Sequence, residues 1–165
     1  MTDIGATAVS TSIVVDAPVD RAFAVYTEDS GCWWPKEHLI IQAPLSHMVF
    51  EPKEGGSVYD VGTDGTECHW GTVLAYEPPG RVVFSWNITL QWAIESDPDR
   101  VSEVEVRFVP EGEQRTRVEL EHRHLDRHGD GWEGMRDAVG SEGGWPQGLQ
   151  RLASRLEAVQ ARDGG

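Results

Sequence analysis

The sequence predicts an α+β domain in which a curved antiparallel sheet packs against a long C-terminal helix. Two observations carry this prediction. Apolar residues alternate along a first strand, recur at helical spacing, alternate again over about six short segments, and return to helical spacing near the C-terminus. Consecutive strands with helices before and after them are typical of α+β domains. The 165 residues show no linker, which predicts a single domain over residues 1–165 with its core at about 7–160.

The first two predicted elements are a strand and a helix. Residues Thr7–Asp16 are rich in Val, Ile and Thr, the composition of a strand. Pro18 suits the first turn of a helix, because the backbone N–H that it lacks has no partner there. Four apolar residues then recur at i, i+3, i+4 and i+7, which predicts a helix with one buried face that ends near Ser30-Gly31. These four residues are Val19, Ala22, Phe23 and Tyr26.

Alternation with period two begins at His47 and continues through the middle of the chain. It predicts four strands, and glycine and proline residues mark the turns between them. The predicted strands are His47–Pro52, Ser57–Val61, Thr66–Tyr76 and Arg81–Ile88.

The last two predicted strands have the clearest pattern. Val104, Val106 and Phe108 alternate with charged residues, and the alternation resumes from Thr116 to His124 after a turn at 111–113. This pattern predicts a hairpin with one dry face and one wet face. The carboxylates on the wet face are interpreted as solvated and without a part in any chemistry.

Helical spacing returns near the C-terminus. Asp130-Gly-Trp-Glu133 has the form of a capping box, so a helix is expected to begin there. Gly140 and Gly143-Gly144 interrupt this helix, and a second, longer one follows. Its apolar stripe consists of Trp145, Leu149, Leu152, Leu156 and Val159. A stripe of this kind must be buried, and the dry face of the sheet is the available partner.

Charge and cysteine content exclude several functions. The 28 acidic and 14 basic residues give a formal net charge of −14, which repels nucleic acid and anionic membrane surfaces. The two cysteines, Cys32 and Cys68, form no C-x-x-C pair, which favours a reducing compartment. The N-terminal residues lack the positive charge of a signal peptide, and no apolar run reaches membrane-spanning length. A cytoplasmic location without membrane insertion is therefore expected.

Several short motifs occur in an order that resembles the SRPBCC superfamily. They are Ala17-Pro18-x-x-x-x-Phe23, Trp33-Trp34-Pro35, Gly71-x-Val73 before Pro78-Pro79, Arg81-Val-Val-Phe-Ser-Trp86, Leu120-x-His122 and Gly144-Trp145-x-x-x-Leu149-x-x-Leu152. From about Ser10 to Leu156 the chain resembles, more narrowly, the branch named after the activator of the ninety-kilodalton heat-shock protein ATPase. This resemblance implies a helix-grip fold similar to START domains and the major birch pollen allergen, with a cavity between the long helix and the sheet.

One motif departs from the family pattern. Many relatives carry His-x-Gly-Phe where this chain has His122-Arg123-His124-Leu125. A bulky, titratable residue thus replaces a glycine near the expected mouth of the cavity, so a ligand of the relatives does not transfer directly to this chain.

The sequence and the resemblance together predict that the cavity binds a small, largely apolar or lipid-like molecule. Seven of the fourteen aromatic residues are tryptophans. A buried indole N–H needs an acceptor, which a polar ligand atom or a water in a cavity supplies better than a dry core does. The predicted lining is Trp70, Phe84, Trp86, His122, His124, Trp145 and Leu149. The alternative is that the tryptophans only fill a wide core.

The two histidines of this lining are expected to share the inward face, because they stand at i and i+2 of a predicted strand. Such a pair can present two imidazoles to a metal. The residues that would complete the ligand set are His69, Cys68, Cys32 or Glu67. Metal sites usually show a denser group of ligands, so no metal site is predicted and a polar end of the ligand cavity is favoured.

Two other functions stay open at this stage. Ser85 and Cys68 are nucleophile candidates, but the chain has no G-x-S-x-G motif and no Gly-rich phosphate loop, and no cofactor is predicted. The resemblance implies a cyclase or dehydratase as one alternative, with His122, His124 and Asp60 as acid–base candidates. It implies interaction with a heat-shock ATPase as another. The oligomeric state stays open, a homodimer included.

Overall fold

The computed structural model describes residues 7–28, 44–91, 93–142 and 144–164, with side chains as far as residue 158. Within these ranges it shows the predicted succession of strands and helices. Three predictions lie outside the described residues: the end of the first helix near Ser30-Gly31, the segment Cys32–Pro35 and the side chain of Val159.

The order of elements confirms the predicted α+β class. Strand β1 (Val9–Val15) precedes helix α1 (Val19–Glu28). The next strands are β2 (Leu45–Phe50), β3 (Ser57–Gly62), β4 (Glu67–Glu77), β5 (Arg81–Trp86), β6 (Ser102–Gly112) and β7 (Arg115–Arg123). Helices α2 (Trp132–Gly140) and α3 (Trp145–Gly164) follow. Short 3-10 turns stand at Pro98–Arg100 and Leu125–His128.

The seven strands that the described residues form make one curled antiparallel sheet in the order β1-β7-β6-β5-β4-β3-β2. Strands β2 to β7 each pair with their neighbours in the chain. Strand β1 instead pairs with β7, with Val9 opposite His122 and Val15 opposite Thr116. The sheet therefore places the N-terminal strand beside the last hairpin.

The core lies between the inward face of the sheet and the helices. Helix α3 packs against β1 and α1, and its residues Leu149, Leu152 and Leu156 are almost completely buried. Burial of such a side chain contributes about 2 kcal/mol to the free energy of unfolding. The predicted stripe of the long helix is thus buried as far as its side chains are described.

Two local predictions are wrong. Helix α2 begins at Trp132 without the predicted capping box, because Gly131 occupies the N-cap position and no side chain caps the helix. The φ angle of Gly131 is 95°, in the left-handed region that glycine adopts without strain. The outer face of the hairpin is also not uniformly solvated, because Glu105 is only 5% exposed.

Candidate functional site

The inward face of the sheet and the start of α3 carry a contiguous group of aromatic side chains, which we call the aromatic belt. The belt consists of Trp70 on β4, Phe84 and Trp86 on β5, and Trp145 on α3. All four side chains are buried, and the predicted lining residue Leu149 lies in the same core one turn after Trp145. The sequence predicts that these five residues face inward together.

The rings of the belt meet edge to face. The ring centroids of Trp70 lie 5.9 Å from those of Phe84 and 5.7 Å from those of Trp86, with interplanar angles of 81° and 70°. Trp86 and Trp145 are 5.6 Å apart at 68°. Each such pair adds about 0.5–1.5 kcal/mol beyond the burial of its area. The belt is therefore a buried cluster of rings held in contact with one another.

A buried carboxyl group ends the belt on strand β3. Asp60 is 1% exposed, and the indole Nε1–H of Trp70 donates to its Oδ1 over 3.1 Å. Burial raises the pKa of Asp60 to about 6, an effect that the hydrogen bond from Trp70 reduces. The same environment raises the pKa of the Cys68 thiol, first through burial and then through the charge of Asp60. A carboxyl group with this pKa can give or take a proton near neutral pH.

A chain of buried hydrogen bonds ends the belt on the other side. The indole Nε1–H of Trp145 donates to Nδ1 of His122 over 3.1 Å. Nε2 of His122 lies 2.7 Å from the hydroxyl oxygen of Ser102, which lies 2.8 Å from Nε2 of His128. His122 and Ser102 are fully buried, and His128 is 4% exposed.

The protonation of His122 follows from this chain. An indole nitrogen can only donate, so Nδ1 of His122 must offer a lone pair and the proton must sit on Nε2. Burial, together with the nearby His128, lowers the pKa of His122 to about 3, so the ring is neutral under ordinary conditions. Both ring nitrogens are engaged, which leaves His122 without a lone pair for a proton from a ligand.

The prediction that His124 shares the inward strand face with His122 is wrong. Strand β7 ends at Arg123, and His124 has φ 61° and ψ 34° at the start of the 3-10 turn. This left-handed backbone breaks the alternation on which the prediction depended. Among the described residues the second buried imidazole is His128, which the sequence does not predict because it follows a turn that no strand period indicates.

The other candidate metal ligands and nucleophiles lie away from the hydrogen bonds that link Trp145, His122, Ser102 and His128. His69 lies on the outer face, where it bonds Ser57 through Nδ1 (2.6 Å) and Glu67 through Nε2 (2.9 Å). The Ser85 hydroxyl accepts a bond from the backbone N–H of Thr72 (2.9 Å), on the face of β5 opposite Trp86. In the described part of the chain, no three or more His, Cys, Asp or Glu residues are grouped so that they could hold a metal ion.

A membrane-crossing helix is also not found. Within the described ranges, each helix is either too short or too polar to cross a bilayer.

The curled sheet, the helix across it and the buried belt define a helix-grip protein of the SRPBCC superfamily. Within that superfamily the chain belongs to the family of Activator of Hsp90 ATPase homolog 1-like proteins, whose model matches residues 16–157. The resemblance noted from the sequence motifs is thereby confirmed. No curated protein matches this chain by sequence.

Solved structures add three comparisons. The anthrahydroquino-gamma-pyrone synthase Txn09 is 40% identical, with a TM-score of 0.64 over 89% of this chain and 95% of that one. CalC from Micromonospora echinospora, a self-sacrificing resistance protein, is 30% identical, with a TM-score of 0.63 over 92% of this chain and 95% of its own. NE0264 from Nitrosomonas europaea is 17% identical, with a TM-score of 0.68 over 94% of this chain and 97% of its own, and shows the fold alone.

Proposed function

We propose that this protein binds a planar, largely apolar polycyclic aromatic molecule with phenolic hydroxyl groups against the aromatic belt, between the sheet and α3. One observation carries the proposal: the belt offers ring edges and faces together with a single protonatable carboxyl group. The indole N–H of Trp70 donates to Asp60, and that of Trp145 donates to His122. Flat aromatic rings pack well in such surroundings, and a phenolic hydroxyl can donate to the Asp60 carboxylate.

The relatives support this class of ligand over a lipid. The synthase that is 40% identical is named for a fused aromatic pyrone, and the chain covers most of its length.

Cys68 is a free, half-buried thiol, which fits the reducing cytoplasm that we expect as the location of this protein.

Calorimetric titration tests the proposal with three probes: a dihydroxyanthraquinone, anthracene and palmitate. We expect the dihydroxyanthraquinone to bind most tightly, because it alone combines flat rings with hydroxyl donors. Trp86→Leu should weaken its binding about tenfold, since a large aromatic contact is lost. The matched control is Trp132→Leu on α2, outside the belt, which should bind as the wild type does. Absence of saturable binding of both aromatic probes, tighter binding of palmitate than of the dihydroxyanthraquinone, or equal losses in both variants would refute the proposal.

A second candidate function is acid–base catalysis of a ring closure, with Asp60 as the catalytic group. Two features favour it: burial within the belt raises the pKa of Asp60 to about 6, and the relative that is 40% identical is a synthase. Ring closure requires one proton to be removed and another to be delivered, and general acid–base groups contribute about 100-fold or more to such steps. The two histidines named from the sequence are less suitable. Both ring nitrogens of His122 are hydrogen-bonded, and His124 lies in the turn after β7 rather than on the strand.

Asp60→Asn separates binding from catalysis. With the substrate of the related synthase, we expect turnover in the wild type and a loss of about 100-fold in kcat in the variant. Affinity for the dihydroxyanthraquinone should fall by no more than about tenfold, because the amide oxygen of Asn still accepts from a phenolic hydroxyl. His124→Ala should turn over as the wild type does. Full turnover in the Asp60 variant, or none in the wild type, would remove this second candidate.

A further inference from the structure

The hydroxyl group of Ser102 bridges two buried imidazoles and has a single proton to donate. Its oxygen lies 2.7 Å from Nε2 of His122 and 2.8 Å from Nε2 of His128. Only one of these two nitrogens can receive the hydroxyl proton. The direction of that one bond sets the polarity of the whole chain from His128 to Trp145.

The indole of Trp145 distinguishes the two directions. If Ser102 donates to His128, its oxygen accepts from His122, whose proton is then on Nε2 and whose Nδ1 accepts from Trp145. If Ser102 donated to His122 instead, the proton of His122 would be on Nδ1 and would confront the N–H of Trp145. Two donors in contact in a buried site repel each other, so only the first direction fits the structure.

We propose that His128 is a positioning residue of the aromatic belt: by accepting the Ser102 proton it holds the proton of His122 on Nε2 and so keeps the Trp145 indole in place. The inference rests on the proposed function in that it assigns Trp145 to a ligand-binding surface. His128 itself is not a catalytic residue, because it acts through Ser102 and His122.

Burial keeps the His128 ring neutral, so one of its ring nitrogens carries a lone pair that can accept. Its pKa is lowered mainly by burial and also by Arg100, while Glu95 acts in the opposite sense, so the ring is neutral. A neutral ring that accepts at Nε2 carries its proton on Nδ1, and among the described residues that buried atom has no hydrogen-bond partner. Nδ1–H of His128 thus has no acceptor, while Nε2 accepts the hydroxyl proton of Ser102.

The backbone at this turn is fixed from outside. Nη2 of Arg100 donates to the carbonyl oxygen of His128 over 3.2 Å. The next residue, Gly129, has φ 90°, and a Cβ there would lie 2.8 Å from the same Nη2. Arg100 therefore fits closely against the turn and holds the imidazole toward Ser102.

NMR of the protein with ¹⁵N-labelled histidine and tryptophan tests the chain of hydrogen bonds from His128 to Trp145 directly. In the wild type we expect His122 as the Nε2–H tautomer alone and the Trp145 indole proton shifted downfield by its hydrogen bond. His128→Leu should produce a second His122 tautomer and move the indole signal upfield. His128→Gln should restore both signals, because its amide oxygen can accept from Ser102. Unchanged His122 and Trp145 signals in the leucine variant would overturn the proposal.

Affinity for the dihydroxyanthraquinone tests the consequence for the belt. His128→Leu should bind about fivefold more weakly, the equivalent of one lost hydrogen bond, and His128→Gln should bind as the wild type does. Ser102→Ala breaks the chain at another point and should show the same loss, which guards against misfolding of a single variant. The matched control is His69→Leu on the outer face, which should have no effect.

The two failures are distinguishable. Altered tautomers with unchanged affinity would overturn the positioning role. A wild type that binds none of the aromatic probes would refute the proposed function, and the NMR signals would then decide alone whether His128 orients the chain.

Discussion

Asp60 and Glu105 are buried carboxylates on opposite faces of the same sheet, and their pKa values move in opposite directions. Asp60 on the inward face is 1% exposed, and Glu105 on the outer face is 5% exposed. The pKa of Asp60 is raised to about 6, whereas that of Glu105 is lowered to about 2. Their solvent exposure is almost the same, so we look to the neighbouring groups for the difference in pKa.

The neighbours of Glu105 are guanidinium groups. Arg107 contributes most to the lowered pKa, and Arg81 and Arg123 each place a nitrogen 2.5 Å from a carboxylate oxygen. Asp60 instead accepts from an uncharged indole. A carboxylate among cations stays ionised and joins strands, whereas one beside an aromatic ring can change its protonation state. The outer face thus uses charge for stability, and the inner face keeps a group that can titrate.

The largest expected effect comes from Glu105→Gln. The amide leaves three arginines around a buried site without their shared anion, so the free energy of unfolding should fall by about 3 kcal/mol in urea titrations. The control is Glu103→Gln on the same strand, which is 24% exposed and bonds Arg123 and Arg127; it should cost below about 1 kcal/mol. Equal losses in the two variants would mean that burial does not set the strength of this network.

The pH dependence of stability should separate the inner face from the outer one. The ordinary pKa of Asp60 is 3.8 and the folded value is about 6, so between these values the folded state binds a proton that the unfolded state has released. The contribution of Asp60 to the free energy of unfolding should therefore fall as pH rises through this window, by on the order of 2 kcal/mol, while His122, whose pKa burial lowers to about 3, contributes in the opposite sense. For Glu105 the sign is opposite, and its contribution is lost as pH falls from 4.5 toward about 2.

Asp60→Asn removes the first of these two dependences. In urea unfolding at several pH values between about 4 and about 7, the free energy of unfolding of the variant should increase relative to that of the wild type as pH rises. The variant should also exceed the wild type in stability near neutral pH. Parallel curves for the two proteins would show that Asp60 does not titrate in this window.

A neutral buried hydrogen bond of the inward face should matter less than either carboxylate. The Thr116 hydroxyl donates to the carbonyl oxygen of Ala17 over 2.9 Å and is completely buried. Thr116→Val leaves that carbonyl without its donor and should cost about 1 kcal/mol, measured by thermal unfolding. Ser12→Ala on the exposed side of β1 should leave the melting temperature unchanged, and a comparable loss there would contradict the assignment.

The smallest effect is expected for a single arginine of the outer network. Arg107 is 53% exposed, so Arg107→Gln should cost about 0.5 kcal/mol, although this residue contributes most to the pKa of Glu105. Arg123→Gln should cost more, because Arg123 is 24% exposed and bonds three glutamates. The reverse order would show that solvent screening does not govern these ion pairs.

The fold could be predicted from the sequence because its signals are local. The period of two along β6 and β7 and the stripe of Leu149, Leu152 and Leu156 each depend on residues that are near in the chain. The positions of Trp70, Trp86 and Trp145 followed from the same periods. Where one backbone angle decides the conformation, the predictions are wrong: the capping-box motif failed at Gly131, and the strand period failed at His124.

The polar chain of the site could not be predicted in the same way. Ser102 meets His122 and His128 across 20 and 26 residues, and neither separation leaves a pattern in the sequence. The burial of Glu105 likewise depends on arginines from three strands. A glutamate that alternates with apolar residues looks the same whether water or guanidinium groups surround it, so the sequence cannot separate these cases.

The pairing of β1 with β7 has a consequence for the order of folding. The bond between Thr116 and Ala17 closes a loop of 99 residues, so the first strand has no neighbour in the sheet until the last hairpin exists. Contacts this distant slow folding and leave strand edges open for longer. During synthesis the N-terminal strand must therefore wait for nearly the whole chain, and products that stop short of β7 should aggregate rather than fold.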